Sequence, residues 1–237
     1  MAFDMDTKDL FFNSDCRALI LGSSGAIGSA IVDVLGNKIG TKNVSTLSRH
    51  ENGLDFMRPE TIPFLAEGKE GYFNLILDAT GALEINESTP EKSFRSLDHQ
   101  SMVNQFMVNT IGPALLIKHL MKFLPKAGKV VFVSLSARVG SIEDNRLGGW
   151  ISYRASKAAL NQIIKTASIE AFRINPNSVF MAIHPGTVRS ALTKKYLGNH
   201  KFVEPNEAAR NILNVIERKK PKDTGGFYAF NGEKIPY

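Results

Sequence analysis

The stretch Arg17-Ala18-Leu19-Ile20-Leu21-Gly22-Ser23-Ser24-Gly25-Ala26-Ile27-Gly28-Ser29-Ala30-Ile31-Val32 decides the fold. It reads as a short apolar strand, a glycine-rich turn and the start of a helix. Gly22 lets the chain turn sharply off the strand. Gly25 and Gly28 allow close approach of backbone to a pyrophosphate and of helix to sheet, and the free amides at the helix N-terminus face the anion. The strand before the turn and the helix after it supply the context that a dinucleotide-binding motif requires. Without a ligand the same turn is a plain strand-to-helix connection. Ser23, Ser24 and Ile27 lie inside it and join Gly22, Gly25 and Gly28 as candidate cofactor contacts.

Outward from this turn, apolar strand-like runs alternate with helical patterns. Residues 18–21, 44–47, 75–77, 129–133 and 179–183 read as strands; 26–35, 104–124 and 152–172 read as helices. That alternation predicts an α/β fold, a single Rossmann-like doubly wound parallel sheet with helices on both faces. In such sheets ligands sit outside the carboxyl ends of the strands. The glycine-rich turn, Asp78 to Gly81, Ser134 to Ser136 and His184 to Val188 all follow strand ends, so they converge on one cleft.

Tyr153 and Lys157 stand one helical turn apart in Ser152-Tyr153-Arg154-Ala155-Ser156-Lys157, which places phenol and ammonium side by side. A tyrosine with a pKa of about 10 holds its proton tightly, and a fixed positive charge beside it stabilises the phenolate and lowers that value. Such a tyrosine serves as an acid or base. Taken alone, such a pair is usually a partly buried aromatic beside a solvated amine.

With both motifs in view, the chain resembles the short-chain dehydrogenase/reductase superfamily over nearly its whole length. It is most similar to the C-factor-like and sniffer-like reductases, on Gly140-Ser141-Ile142, Asn145-Arg146-Leu147-Gly148-Gly149-Trp150, Tyr153 to Asn161, and the ending from Gly226 to Tyr237. The resemblance implies a carbonyl or alcohol oxidoreductase with Tyr153 as acid/base, and Lys157 also holding the nicotinamide ribose. Asn109, in Val108-Asn109-Thr110-Ile111-Gly112, would bend its helix and fix a water that relays protons to Lys157. Ala79, Thr80 and Gly81 stand where the family has an Asn-Asn-Ala-Gly element. Pro185, Gly186, Thr187 and Val188 match its loop beside the nicotinamide, and Asp55 its adenine-contacting aspartate. A homodimer or larger homo-oligomer is implied by the same resemblance. Because C-factor-like relatives are associated with developmental signalling, a cofactor-binding regulatory protein with little turnover is the alternative.

Two positions need separate argument. NAD-selective enzymes commonly place an acid after the second strand, whereas Ser48 and Arg49 follow Val44-Ser45-Thr46-Leu47 here and suit a 2′-phosphate. NADP is therefore the expected cofactor, with NAD as the alternative. The family also carries a serine three residues before a glycine after its fourth strand. Counting back from Gly140 places Ala137 there, with Ser136 one residue earlier. Ser136 is assigned to the substrate oxygen on the condition that the strand has ended and the loop re-aims its hydroxyl. Otherwise it satisfies backbone at the strand end. His184, just before Pro185, reads as a packed, hydrogen-bonded histidine without a catalytic role.

The 237 residues, 43% hydrophobic, suffice for one sizeable core, and no linker or composition shift divides them. Residues 1–16 read as an N-terminal extension and 17–237 as the domain. No run is long and apolar enough for a membrane span, and the single cysteine, Cys16, forms no internal disulfide. A cytoplasmic protein is expected. The formal charge of +6 is spread along the chain, and Arg218-Lys219-Lys220 sits at an expected helix end, where cations suit the dipole. Nucleic-acid binding is not expected, and neither is a metal.

Overall fold

The computed structural model describes residues 11–62, 73–191, 193–196 and 202–237; the first ten residues of the expected extension lie outside them. In chain order the elements are β1 (Ala18–Leu21), α1 (Ala26–Ile39), β2 (Val44–Leu47), α2 (Arg49–Asn52), β3 (Leu75–Asp78), α3 (His99–Phe106), α4 (Gly112–Leu120), β4 (Val130–Leu135), α5 (Ile151–Ile174), β5 (Ser178–His184), α6 (Pro205–Arg218) and β6 (Gly226–Ala229). The strands form one six-stranded sheet, β2-β1-β3-β4-β5-β6, with every pairing parallel.

Every residue of β1, β3 and β4 is buried, as a sheet covered on both faces requires; that is why these strands are continuous apolar runs rather than alternating ones. One face packs Ile20, Leu77, Val133 and Met181 against Ile31 and Leu35 of α1 and Ile212 and Ile216 of α6, with Phe12 and Cys16 in the same layer. Burial pushes the Cys16 thiol up to about 12, with Glu217 adding to the shift and Lys129 opposing it. The other face packs Phe132 and Phe180, stacked with ring centroids 5.1 Å apart, against Leu116 and Leu120 of α4 and Leu160 and Ile164 of α5.

The chain runs from β1 to β2 on one side and then crosses to β3 on the other. The register pairs Leu21 with Asp78, Asp78 with Ser134, and Leu135 with Ile183. The carboxyl ends of four strands therefore come level, and the loops that leave them meet at one crevice.

The helix expected over 104–124 is interrupted. It starts earlier, at His99, where Asp98 accepts the Ser101 amide at 2.7 Å. It then widens into a π-helical turn over Met107–Ile111 before α4. Pro113 supplies the reason: it has no N–H to give the Asn109 carbonyl four residues back, and its ring crowds that carbonyl. No helix among the described residues is long and apolar enough to cross a membrane.

Candidate active site

The glycine turn is built as its sequence demands. Gly22 has φ +76°, and a Cβ there would stand 3.0 Å from the Ala79 carbonyl carbon and oxygen, so β1 and the loop after β3 touch backbone to backbone. At Gly28 a Cβ would lie 2.2 Å from the Gly22 oxygen, so α1 leans directly on the turn. Gly25 differs. It is the N-cap of α1 with no side chain capping the helix, and a Cβ there would meet one atom, the Gly22 oxygen at 3.3 Å, and otherwise open space. The first-turn amides of α1 thus face an uncrowded cradle, and these residues fit a pyrophosphate.

A cavity of about 570 Å³ reaches Ile27 in the first turn of α1 and lies over the carboxyl ends of β3, β4 and β5. Of the sequence-predicted residues it brings together Ile27, Ala79, Thr80, Gly81, Ser136, Tyr153, Lys157, Pro185, Gly186, Thr187 and Val188. Gly22, Ser23, Ser24, Gly25, Gly28, Ser48, Arg49, Asp55 and Asn109 do not line it. Arg49, at the first position of α2, is exposed and has no partner among the described residues, so its charge is available to a phosphate. Ser48 is 1% exposed, and its hydroxyl caps α2 by accepting the Glu51 amide at 3.2 Å. The cap uses the Ser48 oxygen as an acceptor and leaves its O–H to donate to a phosphate. The Asp55 carboxylate is held locally, accepting the Met57 amide at 3.0 Å and pairing with Arg58 at 3.2 Å. An acid that the sequence reading missed, Glu51, comes within 3.5 Å of the Ser23 hydroxyl.

Tyr153 and Lys157 project from the first turns of α5. No described residue hydrogen-bonds the Tyr153 hydroxyl, which faces the cavity. Lys157 is 3% exposed and donates from Nζ to the Leu135 carbonyl at 3.0 Å. Its approach depends on two glycines: a Cβ on Gly140 would lie 2.8 Å from the Lys157 Cβ, and one on Gly81 would lie 3.1 Å from both Lys157 Nζ and Asn109 Oδ1. Burial lowers Lys157 to about 8, with Asp78 acting in the opposite direction.

The expected lowering of the Tyr153 pKa is corrected. Burial pushes the phenol above its ordinary value, and the ammonium, bonded to Leu135, does not offset it. At neutral pH the phenol is protonated, which is the state a proton donor needs.

Asn109 is fully buried, and its side chain clasps the loop after β3. Oδ1 accepts the Ala82 amide at 3.0 Å, while Nδ2 donates to the Ala82 carbonyl at 2.9 Å and to Gln105 Oε1 at 2.6 Å. Asp78, also buried, accepts from Ser134 Oγ at 2.6 Å and from the Thr80 amide at 3.0 Å, fixing Thr80 and Gly81 at the rim.

The condition set for Ser136 fails. Ala137 remains extended at φ −137° and ψ 142°, so the alternation of the strand carries through. Ser136 is 4% exposed and its hydroxyl donates to Asn161 Oδ1 at 2.7 Å, toward α5. It lines the cavity without offering its proton there.

The start of α5 carries features that sequence spacing does not reveal. Trp150 holds φ +50° directly after Gly148 and Gly149, both at φ +63°, an uncommon conformation for a bulky residue. Its amide donates to the Glu91 carbonyl at 2.5 Å, and the buried Glu91 carboxylate takes the Ser152 amide at 3.2 Å as well as the Ser152 hydroxyl. Arg154 Nε donates to the Gly149 carbonyl at 2.9 Å. So clamped, the Trp150 indole stands edge-on between Tyr153 and Tyr196, with centroids 6.2 and 5.3 Å away. Tyr196 is fixed in turn by its hydroxyl on Glu84, 2.5 Å away.

A family model described as enoyl-(acyl carrier protein) reductase matches residues 72–230. The chain is 30% identical over 185 residues to 1-hydroxy-2-glutathionyl-2-methyl-3-butene dehydrogenase of Rhodococcus sp., covering 77% of each chain. It is 27% identical over 142 residues to the C-signal protein of Myxococcus xanthus, covering 60% of this chain and 81% of that one. Its fold superposes on an NADPH-bound carbonyl reductase from chicken fatty liver with TM-score 0.77 at 22% identity, covering 93% of this chain and 98% of that one.

Proposed function

The chain belongs to the short-chain dehydrogenase/reductase superfamily, and from that premise we propose that it is an NADP-dependent oxidoreductase acting on a carbonyl or alcohol, with Tyr153 as the acid/base. The observation that carries this reading is the Tyr153 hydroxyl, protonated and without a partner among the described residues, facing a cavity that reaches Ile27 in the first turn of α1. Bound there, the nicotinamide supplies the hydride. The α1 amides would hold the pyrophosphate, Thr187 and Val188 would border the nicotinamide end, and Lys157 would fix the ribose. As a carbonyl oxygen gains charge, Tyr153 gives it the proton.

Purified protein incubated with NADPH and a panel of aldehydes, ketones, quinones and alcohols tests this reading by loss of the reduced-cofactor absorbance. Turnover of at least one carbonyl is expected. Tight NADPH binding with no turnover on any of them favours instead a cofactor-binding regulatory protein, a reading motivated by the Ser136 hydroxyl turned away from the cavity.

The cofactor preference rests on Arg49. Arg49→Ala is expected to weaken NADPH binding by about tenfold, the loss of one charge-assisted contact, and to leave NADH binding unchanged. Titration of both cofactors checks it, and equal effects on the two would contradict the assignment. Glu51 stands on the opposing side of this balance, so Glu51→Gln should not weaken NADPH.

Trp150 forms an apolar wall of the substrate end. Trp150→Ala is expected to raise KM for bulky carbonyls by about tenfold, the scale of one aromatic contact plus its buried area, with a smaller change in kcat. Steady-state kinetics on the panel decide it; an unchanged KM would place the substrate elsewhere. The reading includes self-association as a homodimer or larger homo-oligomer, for which Val103, Ile169 and Phe172 offer exposed apolar surface on α3 and α5.

A further inference from the structure

Among the described residues three buried polar atoms lack a hydrogen-bond partner: Asn161 Nδ2, His184 Nδ1 and Ser178 Oγ. The first two flank a single residue. Asn161 takes the Ser136 hydroxyl on Oδ1 at 2.7 Å, which leaves its Nδ2 as the free end. His184 follows Ile183, which pairs with Leu135, and the Ser136 amide donates to the Ile183 carbonyl at 2.8 Å, so His184 lies across from Ser136. Opposite residues of paired strands share a face, and this face is the one covered by α5, where Phe132 and Phe180 meet Leu160 and Ile164. A buried amide donor and a buried imidazole acceptor thus converge beside Ser136.

A direct hydrogen bond from Asn161 Nδ2–H to His184 Nδ1, made by a side-chain adjustment, would satisfy both atoms. In that direct bond Nδ1 accepts, so the ring proton resides on Nε2. Nε2 has no partner among the described residues and is not one of the buried unpaired atoms, so it opens to the cavity that His184 lines together with Tyr153, Lys157 and Ala137. Burial, with Arg138 nearby, lowers His184 to about 4, so the imidazole is neutral at pH 7.

We propose that His184 is a catalytic residue whose Nε2–H, oriented by Asn161, donates a hydrogen bond to the substrate carbonyl oxygen beside the Tyr153 hydroxyl, where Ala137 offers none. The transferred proton comes from Tyr153; His184 stabilises the developing charge and gives up no proton. The inference rests on the reductase reading above. Asn161 is a positioning residue, since it acts through His184.

The test joins kinetics to a spectroscopic signature, with the panel's fastest-reduced aldehyde or ketone as the probe. A glutamine amide reaches the ε position of a histidine ring and an asparagine amide only the δ position. His184→Gln should therefore keep kcat within about fivefold, while His184→Asn and His184→Phe lose about a hundredfold, the scale of one oxyanion donor, with NADPH affinity unchanged. In ¹⁵N-histidine NMR of the cofactor-free native protein, His184 should be the neutral Nε2–H tautomer, and Asn161→Leu should shift it toward Nδ1–H. Wild-type kcat in His184→Asn and His184→Phe alongside an inactive Tyr153→Phe overturns the role of His184 alone, as does an Nδ1–H tautomer in the native protein. Equal losses in His184→Gln and His184→Phe also overturn it, since shape rather than hydrogen bonding would then matter. An active Tyr153→Phe brings down the reductase reading instead. If His184→Phe fails to fold, the native tautomer still decides.

Discussion

Tyr153→Phe is expected to lower turnover by about a thousandfold, within the range contributed by a positioned acid, and to leave NADPH affinity nearly unchanged. The substitution removes one oxygen and keeps the ring. The edge contact with Trp150 at 6.2 Å survives, and no hydrogen bond to a described residue is broken because the hydroxyl makes none. The loss is thus confined to chemistry and appears in kcat. Stopped-flow or steady-state kinetics on a substrate of the native protein, with a parallel NADPH titration, checks both halves; full activity in Tyr153→Phe would remove the proposed donor.

Gly28→Ala should be strongly damaging, with the shortest added-Cβ contact among the described glycines. The added methyl would stand 2.2 Å from the Gly22 oxygen and 2.8 Å from the Gly22 carbonyl carbon, backbone atoms that no rotamer can move aside. Either α1 lifts off the turn or the turn opens, and in both cases the cradle in front of Gly25 is lost. Overpacking of this kind costs about 1–3 kcal/mol or more, a fall of about 2–12 °C in melting temperature for a chain of this size. Cofactor affinity should drop by more than tenfold. Thermal denaturation and cofactor titration measure the two effects, and a native melting temperature with native affinity would contradict the helix-on-turn packing.

The sheet was legible because strands buried on both faces are short apolar runs bounded by turns, as in Ala18–Leu21 and Val130–Leu135. β6 was not read as a strand: Gly226–Ala229 opens on glycine, lasts four residues and lies at the sheet edge. For α6 only the end at Arg218 was anticipated, although Ala208, Ala209, Ile212, Leu213 and Ile216 form its buried stripe.

At the site, spacing along one element revealed the Tyr153–Lys157 pair and the glycine turn, since each is a local device. What spacing hid depends on contacts between distant segments. The Ser136 hydroxyl goes to Asn161, 25 residues on, and Ser152 is held by Glu91, 61 residues back. The direction of the Tyr153 shift was misread for the same reason. Helical spacing brings an ammonium near a phenol, but it does not tell that Leu135 will take the ammonium and that burial will govern the phenol.

The most direct test of the central claim is isotopic. The protein is given NADPH deuterated at the transferable C4 position, together with a carbonyl substrate found on the panel, and the product is analysed by mass spectrometry. One deuterium on the former carbonyl carbon, formed by the native protein and about a thousandfold more slowly by Tyr153→Phe, is the predicted result. An alcohol product without deuterium, or no product from any carbonyl despite saturating NADPH, would contradict hydride transfer in this cavity.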